Sequence, residues 1–179
     1  MAPGYESDRI PDIDLAVGEG DSVRLGKTGA KVMFTPGHTS GHIVYLLPTQ
    51  RIAFVGDTIF ALGCGRLFEG TPQQMWTSLS RLAALPDETV VYCAHEYTQA
   101  NARFALTIDP DNRALQAYAA EVDAKRARGE ATVPTTIGAE NAANPFLRAA
   151  DRSIRARLGL ADASDTEVFA EIRRRKDVF

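Results

Sequence analysis

The apolar positions divide the chain into two stretches of different period. Between about Ser22 and Cys93, short runs rich in Val, Ile, Phe and Tyr alternate with turn signals: Ser22–Leu25, Lys31–Thr35, His42–Leu47, Arg51–Val55 and Thr89–Cys93. Such runs predict β-strands. Pro48-Thr49-Gln50 separates two of them closely enough for a hairpin. One helix is predicted within this stretch. It opens at Gly70-Thr71-Pro72-Gln73-Gln74, with Thr71 at the N-cap, Pro72 in the first turn and Gln74 completing a capping box. Met75, Trp76, Leu79, Leu82 and Ala83 then share one helical face, and Pro86 follows the end.

After Glu96 the period becomes helical and the composition alanine-rich. Thr98–Ile108 predicts one helix, stopped by Asp109-Pro110. Asp111 is expected to cap the next, whose Leu115, Tyr118, Ala119 and Val122 make an apolar stripe ending near Gly129. A loop holding Pro134, Gly138, Asn141, Asn144 and Pro145 follows. The last helix starts at the capping box Ser164-Asp165-Thr166-Glu167 and turns Val168, Phe169 and Ile172 inward. Strands first and helices afterwards predict an α+β fold with a helical C-terminal subdomain, residues 1–96 and 97–179 forming the two parts.

Composition narrows the classes. With 179 residues, 45% hydrophobic and 24% charged, the chain suits one globular domain with a small appendage. No apolar run is long enough to cross a bilayer, and a net charge of −3 argues against a dedicated nucleic-acid binder. Cys64 and Cys93 stand far apart in no C-x-x-C pair, which suits a reducing, cytoplasmic compartment; both read as small buried residues rather than nucleophiles. The opening Met1-Ala-Pro-Gly-Tyr-Glu-Ser-Asp has neither the basic nor the apolar segment of a secretory signal.

The chemistry lies at the ends of the β runs. The histidines are His38, His42 and His95; His38 follows the run ending at Thr35, Asp57 follows Val55-Gly56, and His95 follows Cys93-Ala94. Two imidazoles and a carboxylate at strand ends suit zinc or iron. On residue types alone, the plainer account is that each histidine is a turn residue or a hydrogen-bonded core group. Likewise Arg173–Lys176 reads by itself as a solvated cationic helix end, favoured by the macrodipole.

Pro36-Gly37-His38-Thr39-Ser40-Gly41-His42, Val55-Gly56-Asp57-Thr58 and Cys93-Ala94-His95-Glu96-Tyr97-Thr98 resemble the later metal motifs of the metallo-β-lactamase superfamily. Gly63-Cys64-Gly65-Arg66-Leu67-Phe68-Glu69-Gly70-Thr71, Asn144-Pro145-Phe146-Leu147-Arg148 and Arg173-Arg174-Arg175-Lys176-Asp177 resemble, more narrowly, glyoxalase II, the hydroxyacylglutathione hydrolases. The resemblance implies the C-terminal portion of an αββα sandwich with a helical, glutathione-binding subdomain. It implies hydrolysis of S-2-hydroxyacylglutathione, such as S-lactoylglutathione, by a metal-bound hydroxide in methylglyoxal detoxification. His38 would ligate one metal, His95 the other, and Asp57 would bridge them; the ions would be zinc, with iron or manganese acceptable. Arg66, Phe68, Tyr97, Arg173 and Lys176 would hold the glutathione moiety, with Arg66 where the family often has Lys and Phe68 where a Tyr is common. His42 is not a ligand in the family and is read as support.

The family's first metal motif, His-x-His-x-Asp-His, should precede His38, yet no histidine does. Met1 is therefore expected to be an internal start, and each metal is left with two protein donors, fewer than the three or four usual for zinc. Activity of the chain as given is then expected to be impaired. The alternative is a non-catalytic remnant that binds glutathione or a protein partner. Other superfamily thioesterases and persulfide dioxygenases are disfavoured by the Asn-Pro-Phe segment and the Arg-x-x-Lys ending.

Overall fold

The predicted β runs assemble into one twisted layer. The computed structural model describes residues 1–179. A small parallel pair, β1 (Ala2–Pro3) with β2 (Ala16–Val17), precedes an antiparallel meander of β3 (Ser22–Leu25), β4 (Thr28–Phe34), β5 (Ile43–Leu47) and β6 (Ile52–Gly56). β7 (Ile59–Phe60) and β8 (Gly63–Cys64) form a separate hairpin, and α1 (Pro72–Ala83) then crosses over to β9 (Val90–Cys93), parallel to β6. The remaining elements are α2 (Thr98–Ile108), α3 (Arg113–Ala127), β10 (Thr135–Thr136), α4 (Ile137–Ala143), α5 (Arg152–Leu158) and α6 (Asp165–Asp177). The main sheet has the order β10-β9-β6-β5-β4-β3.

The capping signals act where the sequence places them. Thr71 accepts from the Gln74 N–H while Gln74 returns a bond to the Thr71 N–H, and Ser164 and Glu167 do the same at α6. Other expectations are corrected. Asn112, not Asp111, caps α3: its Oδ1 accepts from the N–H groups of Ala114 and Leu115, while Asp111 pairs with Arg157. β4 begins at Thr28 rather than Lys31, because Leu25 pairs with Thr28 across a tight turn in which Gly26 takes φ +60°. The expected loop around Gly138 holds both β10, which adds the sheet's last edge, and α4, capped by Thr136. A seven-residue helix containing a glycine and an asparagine shows too little apolar period to be seen in sequence. The same brevity hid α5.

One core serves both stretches of the chain. Val44, Ala53, Val55 and Val91 from one face of the sheet pack with Met75, Leu79 and Leu82 of α1 and with Phe104, Phe146, Ile154, Phe169 and Ile172 of the helical stretch. At ~1.5–3 kcal/mol for each large apolar side chain buried, this shared cluster is what fixes the helices against the sheet.

Candidate metal centre

The sheet directions explain why distant residues meet. β5 runs antiparallel to both β4 and β6, so β4 and β6 point the same way, and β9 is parallel to β6. The C-terminal ends of these three strands therefore lie along one edge, where ligand sites of parallel strands gather. His38 follows β4, Asp57 follows β6 and His95 follows β9. Ala94 donates its N–H to the Gly56 carbonyl at 3.0 Å, locking the last two loops together.

Asp57 stands between the two imidazoles, with His95 Nε2 3.2 Å from its Oδ1 and His38 Nε2 3.9 Å from its Oδ2. Nδ1 of His38 lies 2.9 Å from the backbone carbonyl of Arg66, which can only accept, so Nδ1 donates there and Nε2 is the ring atom that faces Asp57. A metal-ligating imidazole is commonly held by such an outer hydrogen bond. The donors thus suit a shared-carboxylate site in type and orientation, with one imidazole per carboxylate oxygen. No set of three His, Cys, Asp or Glu side chains is arranged to hold a single ion.

His42 supports the backbone of Asp57. Its Nε2 accepts from the Asp57 N–H at 3.1 Å, and its Nδ1 meets the hydroxyls of Thr35 and Thr58, each at 3.1 Å. Burial pushes its pKa below the usual histidine value, keeping it neutral and able to accept. The glycines are forced by this packing. A Cβ on Gly56, at φ +50°, would stand 2.7 Å from His42 Nε2, and one on Gly65 would run into the Asp57 carbonyl.

A cleft of about 700 Å³ opens beside the three donors. Arg66, Phe68, Tyr97 and Lys176 line it. The Phe68 ring lies 5.0 Å from His38, and Tyr97 stacks on His95 at 4.7 Å. Lys176 is held between the rings of Phe104 and Phe179, its Nζ 5.1 Å from each. Burial, together with the charges of Arg173, Arg103 and Arg66, lowers its pKa. Arg173, expected among the residues that hold the substrate, also lines the cleft and is only 4% exposed. Its Nη1 donates to the Cys64 carbonyl at 2.9 Å and its Nη2 pairs with Asp177 at 3.0 Å, so it braces the wall from behind. Arg103, Phe60 and Asn101 line the cleft without having been singled out in sequence, since each reads there as an ordinary helix or strand residue.

Comparison with known proteins decides the family. Residues 2–95 match the family model described as metallo-beta-lactamase superfamily, and residues 96–179 match hydroxyacylglutathione hydrolase C-terminus. Over all 179 residues the chain is 69% identical to the hydroxyacylglutathione hydrolase of Maricaulis maris and 59% identical to that of Brucella ovis, spanning 70% of each relative's length. The chain belongs to the hydroxyacylglutathione hydrolases. Among solved structures, ETHE1 from Myxococcus xanthus superposes with a TM-score of 0.57 at 29% identity, covering 90% of this chain and 52% of that one. A metallo-β-lactamase from Staphylococcus aureus, 20% identical, shares the fold with a TM-score of 0.57 over 93% of this chain and 44% of its own. A third relative, 27% identical with a TM-score of 0.50 over 76% of this chain and half of its own, was solved in a di-iron-bound form. The chain thus has an α+β metallo-β-lactamase fold, with helices following the sheet.

Proposed function

We propose that this chain carries the substrate-facing part of a glyoxalase II: it takes S-2-hydroxyacylglutathione, S-lactoylglutathione above all, toward a 2-hydroxy acid and glutathione in methylglyoxal detoxification. The observation that supports this most is the placement of a cationic, aromatic-lined cleft directly beside the Asp57-centred donors. His38 Nε2, Asp57 and His95 Nε2 are the groups that would hold zinc, iron or manganese. A metal ion there supplies Lewis acidity, lowering the pKa of water and polarising a thioester carbonyl. Arg66, Arg103 and Lys176 offer guanidinium and ammonium groups to the two carboxylates of glutathione. A mutually repelling cluster of cations is relieved by an anionic ligand, which fits the lowered pKa of Lys176. Phe68 and Tyr97 flank the path from that cluster to the donors, so the thioester carbonyl would reach Asp57 with the glutathione sulfur toward the cleft. The leaving thiolate needs little protonation, so this reading asks for no strong general acid. A cytoplasmic setting fits the two free thiols.

Two imidazoles and one carboxylate are few donors for two ions, so the chain by itself is expected to bind metal weakly and turn over slowly. Metal analysis and an S-lactoylglutathione assay test this. The expected result is substoichiometric metal and turnover far below the ~1–10³ s⁻¹ usual for enzymes, with both restored on co-expression with a family segment carrying His-x-His-x-Asp-His. Two tightly held ions per chain with ordinary turnover would overturn the donor-count argument. Failure of glutathione to bind, in a calorimetric titration where Lys176→Ala should weaken it about tenfold, would overturn the reading of the cleft.

A further inference from the structure

The β7–β8 hairpin forms the cleft wall next to His95. Its Phe60 ring meets His95 at 5.9 Å and Tyr97 at 5.5 Å between centroids, and its Cys64 carbonyl holds Arg173. The turn between the two strands is buried, with Ala61 and Leu62 essentially unexposed. Buried backbone groups require partners. Here they are supplied by side chains from the helical stretch. Asn101 Nδ2 donates to the Ala61 carbonyl at 3.1 Å, and Asn144 Nδ2 donates to the Gly63 carbonyl at 3.0 Å. The Leu62 N–H donates to Glu140 Oε2 at 2.8 Å. Leu62 itself stands at φ +58°, a left-handed conformation that a branched side chain keeps only when its surroundings impose it.

Glu140 is the hub of this arrangement. It is wholly buried on α4, accepts a second bond from Asn144 at 2.8 Å, and accepts a third from the Thr135 hydroxyl at 2.7 Å. Tyr118 of α3 extends the chain by donating to Thr135 at 2.9 Å. No cation pairs with Glu140; the titratable groups facing it are Tyr118 and, from β9, Cys93. A carboxylate buried without a counter-ion is expensive, and a core that needed only bulk at this place would be served by an apolar residue. What Glu140 provides is a set of directed acceptors aimed at one strained turn.

We propose that Glu140 is a positioning residue for the cleft: through Leu62 and Asn144 it sets the Phe60–Gly63 turn, and through that turn the Phe60 ring beside His95 and Tyr97 and the carbonyl that anchors Arg173. Only the ligand-binding part of its test rests on the glutathione reading. Glu140→Gln keeps an acceptor for Leu62 and Asn144 and gains a donor for Thr135, so it preserves the contacts. Glu140→Ala removes them.

Hydrogen exchange read by mass spectrometry on the 179-residue chain, with calorimetric titration by glutathione, tests the proposal. In Glu140→Ala, exchange at residues 59–64 should quicken about tenfold or more while α5 and α6 stay protected, and glutathione should bind about tenfold more weakly. Glu140→Gln should restore both to within about twofold of the parent. Ile154→Ala, a core truncation away from the turn, should loosen the chain without singling out residues 59–64. Should Glu140→Ala fail to fold, Glu140→Asp, one methylene shorter, gives the same local reading with less damage. Exchange at 59–64 that is unchanged, or that rises only in step with the whole chain, would overturn the proposal. A parent chain that does not bind glutathione would overturn the cleft reading alone, because the exchange comparison still decides the role of Glu140.

Discussion

The two faces of the main sheet come from the same strands but are covered to different extents: the second is buried only at its β3–β4 end, where Val23 and Val32 pack on Val17 of β2. On one face Val44, Ala53, Val55 and Val91 are fully buried beneath α1 and the helical stretch. On the other, Tyr45, Phe54 and Tyr92 lie side by side across β5, β6 and β9, with Phe54 45% and Tyr92 39% exposed and their rings 5.3 Å apart. Both faces are apolar enough to be core. The comparison teaches that apolar alternation marks a strand, whereas burial depends on what another element lays over it.

The largest test of that contrast is truncation on each side. Leu79→Ala, in the covered core, should cost about 3–4 kcal/mol in urea unfolding, whereas Phe54→Ala on the open face should cost under ~1 kcal/mol. Equal losses would mean that the open face is packed in solution. Next in size is a pH effect from the covered side. Burial raises the Glu140 carboxyl from its ordinary 4.5 to about 7. Between those values the folded chain holds a proton that the unfolded chain has released, so this contribution falls as pH rises through that window and is level above it. Urea unfolding at about pH 5 and pH 8 should show the parent losing on the order of 2 kcal/mol more than Glu140→Gln across that range. Removing the α1 cap by Thr71→Ala should cost about 1 kcal/mol, since α1 closes the covered face and its Gln74 N–H would lose its partner. The smallest change in stability should accompany the clearest change in behaviour. Phe54→Lys with Tyr92→Lys should leave the unfolding midpoint nearly unmoved yet reduce self-association measured by sedimentation, because an exposed apolar patch is an association surface. A parent chain that is monomeric at all concentrations would remove the reason for that prediction.

Much of this could be read in the sequence because it is local. The cap at Thr71, the stop at Asp109-Pro110, the capping box at Ser164 and the β runs between Ser22 and Cys93 each depend on a few neighbouring residues. His38, Asp57 and His95 stood out because each follows a strand directly. The elements that were missed are short or depend on distant partners: β10 exists only as an edge laid against β9, and the β7–β8 turn takes its hydrogen bonds from side chains far along the chain. Glu140 and Asn101 carry no local signal, since nothing in a helical segment announces which distant carbonyl its side chain will meet.

The sequence by itself therefore determined five strands of the main sheet, the principal helices, the donor types and the family. Tertiary structure decided which donors meet, which parts of each sheet face are covered, and that Arg173 is anchored to the Cys64 carbonyl and Asp177. The physical reason is range. Caps, turns and periodicity act over about one turn or one hairpin and are written in adjacent residues. Convergence of His38, Asp57 and His95 follows from strand directions, and burial from which apolar surface excludes water best, both settled only when the whole chain packs.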